Sequence, residues 1–309
     1  KNFQLDASSD TLLLENDPDL KYLREVNAKY GSEDYLVLTY TPNKDLLDPD
    51  TIKHLTNLKN DLINLDWANK IITILDVPLL KNNDDPLAER IKNFKTLANE
   101  DADKEKGFKE IINSPIYEEF VISKDGGTSG ILVYIKSDKK MSDLIIAKNN
   151  YLNKIDETNL SSEENKKYKI FLKEYDSYKK IYNKNNHQNI NEIRSIIEKY
   201  QDTAKIHLGG IPMIADDMMT YVKNDIIVFG AGVFIFIICT LWFVFRSFLW
   251  VLIPLLSCFF SVFTMVGLLG LLGWKVTVIS SNFIALMLIL TMAMNIHISV
   301  RYLQFKKEN

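Results

Sequence analysis

Cysteine is nearly absent from this 309-residue chain: only Cys239 and Cys258 occur, and both lie inside apolar runs. Neither a disulfide framework nor a cysteine-rich metal site can be built from that supply. Histidine is scarce too. His54, His187, His207 and His297 stand far apart without metal-type spacing, so no metal or other cofactor is expected. Charge is missing from three stretches, residues 226–245, 247–274 and 276–300. Each is long enough to cross a bilayer, which takes about 20 residues in a helix. A purely water-soluble protein is therefore excluded.

The formal net charge of −3 hides a division. Residues 1–225 carry 32 basic and 39 acidic side chains, whereas the remainder has five basic residues and one acid. The acidic balance of the first part argues against a nucleic-acid partner, which would require a basic surface to replace phosphate counterions. Residues 1–225 read as a water-facing domain and 226–309 as a membrane region, with spans over about 226–245, 249–272 and 276–300. Four of the five basic residues (Arg246, Arg301, Lys306 and Lys307) then fall on one side, which the positive-inside rule assigns to the cytoplasm. The large domain lies opposite. Trp250 and Trp274 at the ends of the second span suit the two interfaces. Gly267, Gly270 and Gly273 suggest close approach of a neighbouring helix. Lys1 follows no initiator Met or signal region, so the chain is expected to be a fragment preceded by a transmembrane helix.

Within the first part, residues 35–41 read as a strand ending at Pro42. Asp48 and Pro49 form an N-cap and first-turn pair, and Ile52, Leu55, Leu58, Leu62 and Leu65 follow at helical spacing. Lys70–Leu75 reads as a second strand. Residues 120–123 and 131–135 flank Lys124-Asp125-Gly126-Gly127-Thr128 as a hairpin. Ile190, Ile193, Ile197 and Tyr200 form a later helix face, and Lys205–Leu208 a last strand. The order β-α-β, insertion, β-α-β fits an α+β sandwich of ferredoxin-like type. Its core is expected to include Leu38, Leu58, Ile72, Val133, Ile193 and Ile206. Two stretches, about 86–114 and 139–186, read as polar helical insertions, the second a solvated face or a docking surface.

The string Leu208-Gly209-Gly210-Ile211-Pro212-Met213-Ile214-Ala215-Asp216-Asp217-Met218, followed by Asp225 and a span, resembles the approach to the second helix of resistance-nodulation-division exporters. Phe3-Gln4-Leu5-Asp6-Ala7-Ser8-Ser9-Asp10-Thr11-Leu12 resembles the segment after the first helix of the MMPL-like branch. Asn16-Asp17-Pro18-Asp19, Ser123-Lys124-Asp125-Gly126, Ser281-Asn282-Phe283 and Ile296-His297 with Arg301-Tyr302 extend the likeness. The resemblance implies the N-terminal half of a multi-pass transporter in a bacterial inner membrane. A periplasmic porter domain would be followed by the second to fourth helices, within a sterol-sensing-like segment.

In proton-driven relatives the fourth helix carries an Asp-Tyr pair, a His four residues after the Asp and an Arg-Tyr pair eight after it. His297 and Arg301-Tyr302 fit that pattern, but Ala293 stands at the Asp and Met294 at the Tyr. Alanine cannot titrate, so the usual carrier is missing. His297 is left as a titratable candidate, or as a hydrogen-bonding residue near the interface. Asn295 is a further transport or coupling candidate, though it lies about 200° round the helix from Ala293 and so cannot occupy the same face. Asn282, Ser280 and Ser281 are candidates for helix contacts or substrate ligands. Asp216 and Asp217 read either as ordinarily solvated residues at the membrane entrance or as coupling domain movement to the spans, and Asp225 is a further coupling candidate.

No nucleophile-base arrangement suggests an enzyme. The expected function is export of a hydrophobic or lipid-like substrate through alternating conformations. The partners are membrane lipids, the C-terminal half, and an oligomeric copy or periplasmic protein. The alternative is a non-transporting receptor or scaffold that binds a lipid or protein.

Overall fold

The computed structural model describes residues 4–6, 17–31, 33–80, 94–158, 160–277, 280 and 282–308. Two compact units divide the chain, one of Lys21–Asp216 and the other of Lys1–Leu20 with Asp217–Asn309. The division falls nine residues before the 225/226 boundary drawn from hydropathy.

Helix α1 (Pro18–Tyr30) leads into strand β2 (Tyr35–Pro42), with β1 the short strand Gln4–Asp6. Alternation in β2 buries Leu36, Leu38 and Tyr40 on one face. Helix α2 (Pro49–Ile63) starts where expected. The Asp48 carboxylate accepts the Asp50 N–H at 2.9 Å, Pro49 occupies the first turn, and Leu55, Leu58 and Leu62 are buried.

Strand β3 runs only from Ala68 to Ile72, shorter than the expected 70–75. Thr73 and Asp76 close a capping box on the 3-10 turn Ile74–Asp76, and these local bonds end the strand. The core residue is Ile71, 7% exposed, rather than Ile72. Directly opposite residues share a face, and Ile71 stands opposite the fully buried Val133 across a register irregularity between Ala68 and Lys70. The other expected core residues, Leu38, Leu58, Val133, Ile193 and Ile206, are buried.

Helix α3 (Lys104–Ile112) places Ile111 in the core at 0% exposure, with Phe108 and Ile112 against it. The described part of the expected polar insertion at 86–114 therefore contributes to the core; residues 86–93 lie outside the described residues. The hairpin expected from residue 120 forms in part. Phe120 and Val121 donate their N–H groups to the Tyr117 carbonyl, so a turn replaces the first arm, with a single bridge between Ile122 and Ser129. The second arm is β4 (Ser129–Ile135).

Helices α4 (Lys139–Thr158) and α5 (Ser162–Glu198) form a helical hairpin. The second part of the expected insertion, 162–186, and the core face at 190–197 belong to one 37-residue helix, α5. Met141, Leu144 and Tyr175 cluster between the two helices, whereas Ile190, Ile193, Ile196 and Ile197 join the main core. Strand β5 (Ala204–Gly209) completes an antiparallel sheet in the order β3-β4-β2-β5.

Gly210 then turns the chain with φ +121°. A Cβ there would stand 2.9 Å from the Tyr35 carbonyl oxygen and 3.1 Å from Leu36 Cα, so both conformation and space demand glycine.

Helix α6 (Ile211–Phe245) follows, then α7 (Phe248–Leu272), strand β6 (Lys275–Thr277) and α8 (Phe283–Glu308). All three helices are long and apolar enough to cross a membrane. The third starts seven residues later than the expected 276, because Thr277 and Ser280 hydrogen-bond into a turn and the Phe283 N–H donates to the Ser280 carbonyl. β6 pairs in parallel with β1, Leu5 opposite Val276. A Cβ on Gly267 or Gly273 would meet nothing within 4 Å, and Gly273, at φ +71°, caps α7 by donating to the Leu269 carbonyl.

Candidate functional site

The apolar helices pack through Ile237 and Leu241 of α6, Val251 and Cys258 of α7, and Leu288 and Met292 of α8. Into this seam the sequence inserts a few polar side chains. The Ser257 hydroxyl donates to Asn295 Oδ1 at 3.3 Å, Asn295 Nδ2 lies 3.6 Å from Cys258 Sγ, and Thr291 Oγ1 lies 3.4 Å from the same sulfur. Thr291 also donates to the Met287 carbonyl one turn earlier, so its hydroxyl is satisfied within α8. Asn295 is thus the expected candidate that joins two membrane helices. Its position two residues from Ala293 turns it toward α7, while Ala293 is exposed.

Beside this contact an open groove is lined by Ser257, Ser261, Thr264 and Met265 of α7 and Met287 of α8. The hydroxyls at 257, 261 and 264 follow helical spacing, a pattern of uncharged polar residues that is present in the sequence itself. The arrangement offers hydrogen-bonding oxygens and polarisable sulfur on an otherwise apolar wall. Among the described residues, no group of His, Cys, Asp and Glu comes together in a metal-binding cluster.

His297 lies one turn from Ala293 and is likewise exposed, as are Met294 and Ile298, so that face of α8 is not covered by other described residues. Asn282 is exposed just ahead of α8, its carbonyl accepting the Leu286 N–H; Ser281 lies outside the described residues. At the opposite end of α8, Trp250 sits 5.6 Å from the Tyr302 ring and 6.4 Å from Phe245. This aromatic group brings the start of α7, the end of α6 and the Arg301-Tyr302 pair together. It agrees with an interfacial place for Trp250 and sets Arg246 and Arg301 at a common end. Arg246 itself has φ +46° in the two-residue link between α6 and α7.

The acidic candidates separate. Asp216 is 8% exposed, and both its carboxylate oxygens face His187 Nδ1, at 3.0 and 2.9 Å. Asn191 Nδ2 stands 3.1 Å from the other ring nitrogen. Next to this pair Asn186 donates to the Pro212 carbonyl at 2.9 Å. Asp217 is half-buried and Asp225 exposed. Nothing in the spacing of His187 from Asp216 reveals their contact, which requires α5 to lie beside the first turn of α6.

Earlier in α5, on a different face from His187, Tyr178 donates to Asp138 and Tyr182 to Asp34. Burial, aided by the Asp34 carboxylate, holds the Tyr182 phenol well above its usual value; burial also raises Asp34, with the Tyr182 hydrogen bond opposing it.

Residues 180–297 match the model of the MMPL family. The match runs from the last part of α5 through β5, α6 and α7 to His297 of α8. No curated protein matches the chain. The family match and the three apolar helices fit a multi-pass membrane transporter of the resistance-nodulation-division kind.

Proposed function

We propose that this chain, whose residues 180–297 match the model of the MMPL family, moves a hydrophobic or lipid-like molecule out of a bacterial inner membrane by alternating conformations. The observation carrying this reading is that one family match spans the end of the sheet domain and the apolar helices together. Under this reading the Lys21–Asp216 unit is a periplasmic porter domain of ferredoxin-like type. The strand order β3-β4-β2-β5, its antiparallel pairing and the connecting helices α2 and α5 support that fold. Arg246, Arg301 and Lys306 face the cytoplasm, in keeping with the positive-inside rule. The hydroxyl-lined groove on α7 lies where an amphiphile could place its polar end while its chain meets the apolar wall.

Alanine at 293 favours a second reading, a receptor or scaffold that binds a lipid without moving it. An intramembrane carboxylate would change charge between two conformations and let a proton gradient bias them; a methyl group cannot. Transport of a fluorescent acyl lipid by the full protein in proteoliposomes tests both. Transfer above protein-free vesicles supports export, and His297→Gln should preserve most of it with the same pH dependence. Saturable lipid binding without transfer under any ion gradient establishes the receptor reading instead.

A further inference from the structure

The α4–α5 hairpin differs in charge from the domain that carries it. Residues 139–186 contain eleven lysines and seven acids, net +4, while the rest of residues 1–225 carries 21 basic and 32 acidic side chains. The excess is not spread evenly. At 100° per residue, Lys166, Lys169, Lys173, Lys180 and Lys184 fall within about 60° of one line along α5, with Ile170, Ser177 and Ile181 between them. All eight are exposed, Ile170 at 70% and Ile181 at 55%. The opposite face is occupied: Tyr175 is buried against α4, and Tyr178 and Tyr182 bond Asp138 and Asp34. Glu174 and Asp176 lie at the two flanks, about 80° away. None of the five lysines forms an ion pair among the described residues, unlike Lys154 with Glu164 and Lys167 with Glu163. The row spans about 27 Å.

We propose that this lysine–isoleucine stripe docks on the surface of an anionic lipid bilayer. Three features select that occupant. Lysine is a flexible point charge, suited to mobile headgroups, and the stripe contains no arginine to read one fixed phosphate or carboxylate geometry. The isoleucines can enter the headgroup–acyl boundary while the lysine stems lie along it and keep their amines at the phosphates. The remaining domain is acidic, so an anionic bilayer repels it and the contact is directed to the hairpin. This docking does not depend on whether the chain transports a substrate.

The test uses the full chain in nanodiscs of neutral phosphatidylcholine, mixed with separate vesicles and floated on a gradient. Co-flotation is expected with vesicles containing 30% phosphatidylglycerol, at roughly tenfold or more above purely neutral vesicles, and it should disappear at high salt. Replacing the five lysines by glutamine should remove it, and Ile170→Ser with Ile181→Ser should weaken it. Glutamine at Lys104, Lys106 and Lys109, exposed lysines on α3, should leave it intact and controls for general charge. Equal flotation of wild type and the five-lysine variant overturns the proposal. So does equal flotation with neutral vesicles. Retention of soluble polyphosphate without vesicle binding, or cross-linking of the stripe to a second copy in place of vesicle binding, assigns a different partner and also overturns it.

Discussion

His187 Nδ1 faces both carboxylate oxygens of Asp216, at 3.0 and 2.9 Å, fastening the lower part of α5 to the first turns of α6. Asp216 is nearly buried while the His187 side chain remains about half exposed. His187→Ala should therefore leave a desolvated carboxylate without its partner. The expected loss is about 1–3 kcal/mol, toward the lower end because solvent still reaches the imidazole site. Asp216→Asn keeps an acceptor for the ring N–H and should cost less. Thermal midpoints of the full chain in detergent decide the matter; an unchanged midpoint for His187→Ala would show that the contact contributes nothing.

Gly210→Ala should destabilise the chain by roughly 2–4 kcal/mol, combining a disfavoured φ with a Cβ pressed on the Tyr35 carbonyl. Gly209→Ala is the matched comparison, since its Cβ would meet only the Val37 carbonyl at an ordinary 3.7 Å. Equal midpoints for the two variants would contradict the packing described at the β5–α6 turn.

Asp34 and Tyr182 set a pH dependence whose sign is fixed by their raised values. Folding favours the protonated carboxyl of Asp34, so that contribution is present below about pH 4 and is lost as pH rises through the folded value. The phenol of Tyr182 acts in the same direction at alkaline pH, its contribution declining from about pH 10 upward. Asp34→Asn should thus stabilise the fold at pH 7, by less than about 1 kcal/mol because the residue is exposed and solvent screens the carboxylate. The gain should vanish near pH 3. A gain independent of pH would assign the effect to something other than the carboxylate.

Ser257→Ala and Asn295→Ala should be non-additive. Each removes the single bond between the two side chains, so a double-mutant cycle in bicelles should give a coupling of about 0.6 kcal/mol and not above about 2. Additive effects would mean that Asn295 holds α8 through Cys258 or not at all.

Orientation can be read with an impermeant thiol reagent on spheroplasts, in a Cys239→Ser background. Cysteine at the exposed Lys104 should label, and cysteine at Lys306 should label only after permeabilisation. The reverse pattern would invert the proposed topology. Ser129 makes a poor reporter despite its place beside a glycine turn, because it is fully buried.

Elements whose cause is local were legible in the chain itself. Asp48-Pro49 marks the start of α2, the alternation through Leu36, Leu38 and Tyr40 marks β2, and uncharged runs mark three apolar helices. Boundaries set by competing hydrogen bonds were less so. Thr73 could have continued β3 until its side chain capped a turn, and the uncharged run from Val276 could have opened α8 until Thr277 and Ser280 closed on each other. The family motif at residues 208–218 was visible as a string, but its use of Gly210 as a close-packed corner appears only when Tyr35 is beside it.

The sequence by itself determined that this protein has a long charge-rich part and three membrane-capable helices, since hydropathy, charge and caps act over neighbours within a few turns. It also determined that Ala293 cannot carry a proton, a matter of side-chain chemistry alone. Only the tertiary structure decided that Ile71 rather than Ile72 enters the core, that Asn295 meets Ser257, and that His187 meets Asp216. Each of those depends on which face one element turns toward another, and residues 29 or 38 positions apart acquire a distance only when the chain has folded between them.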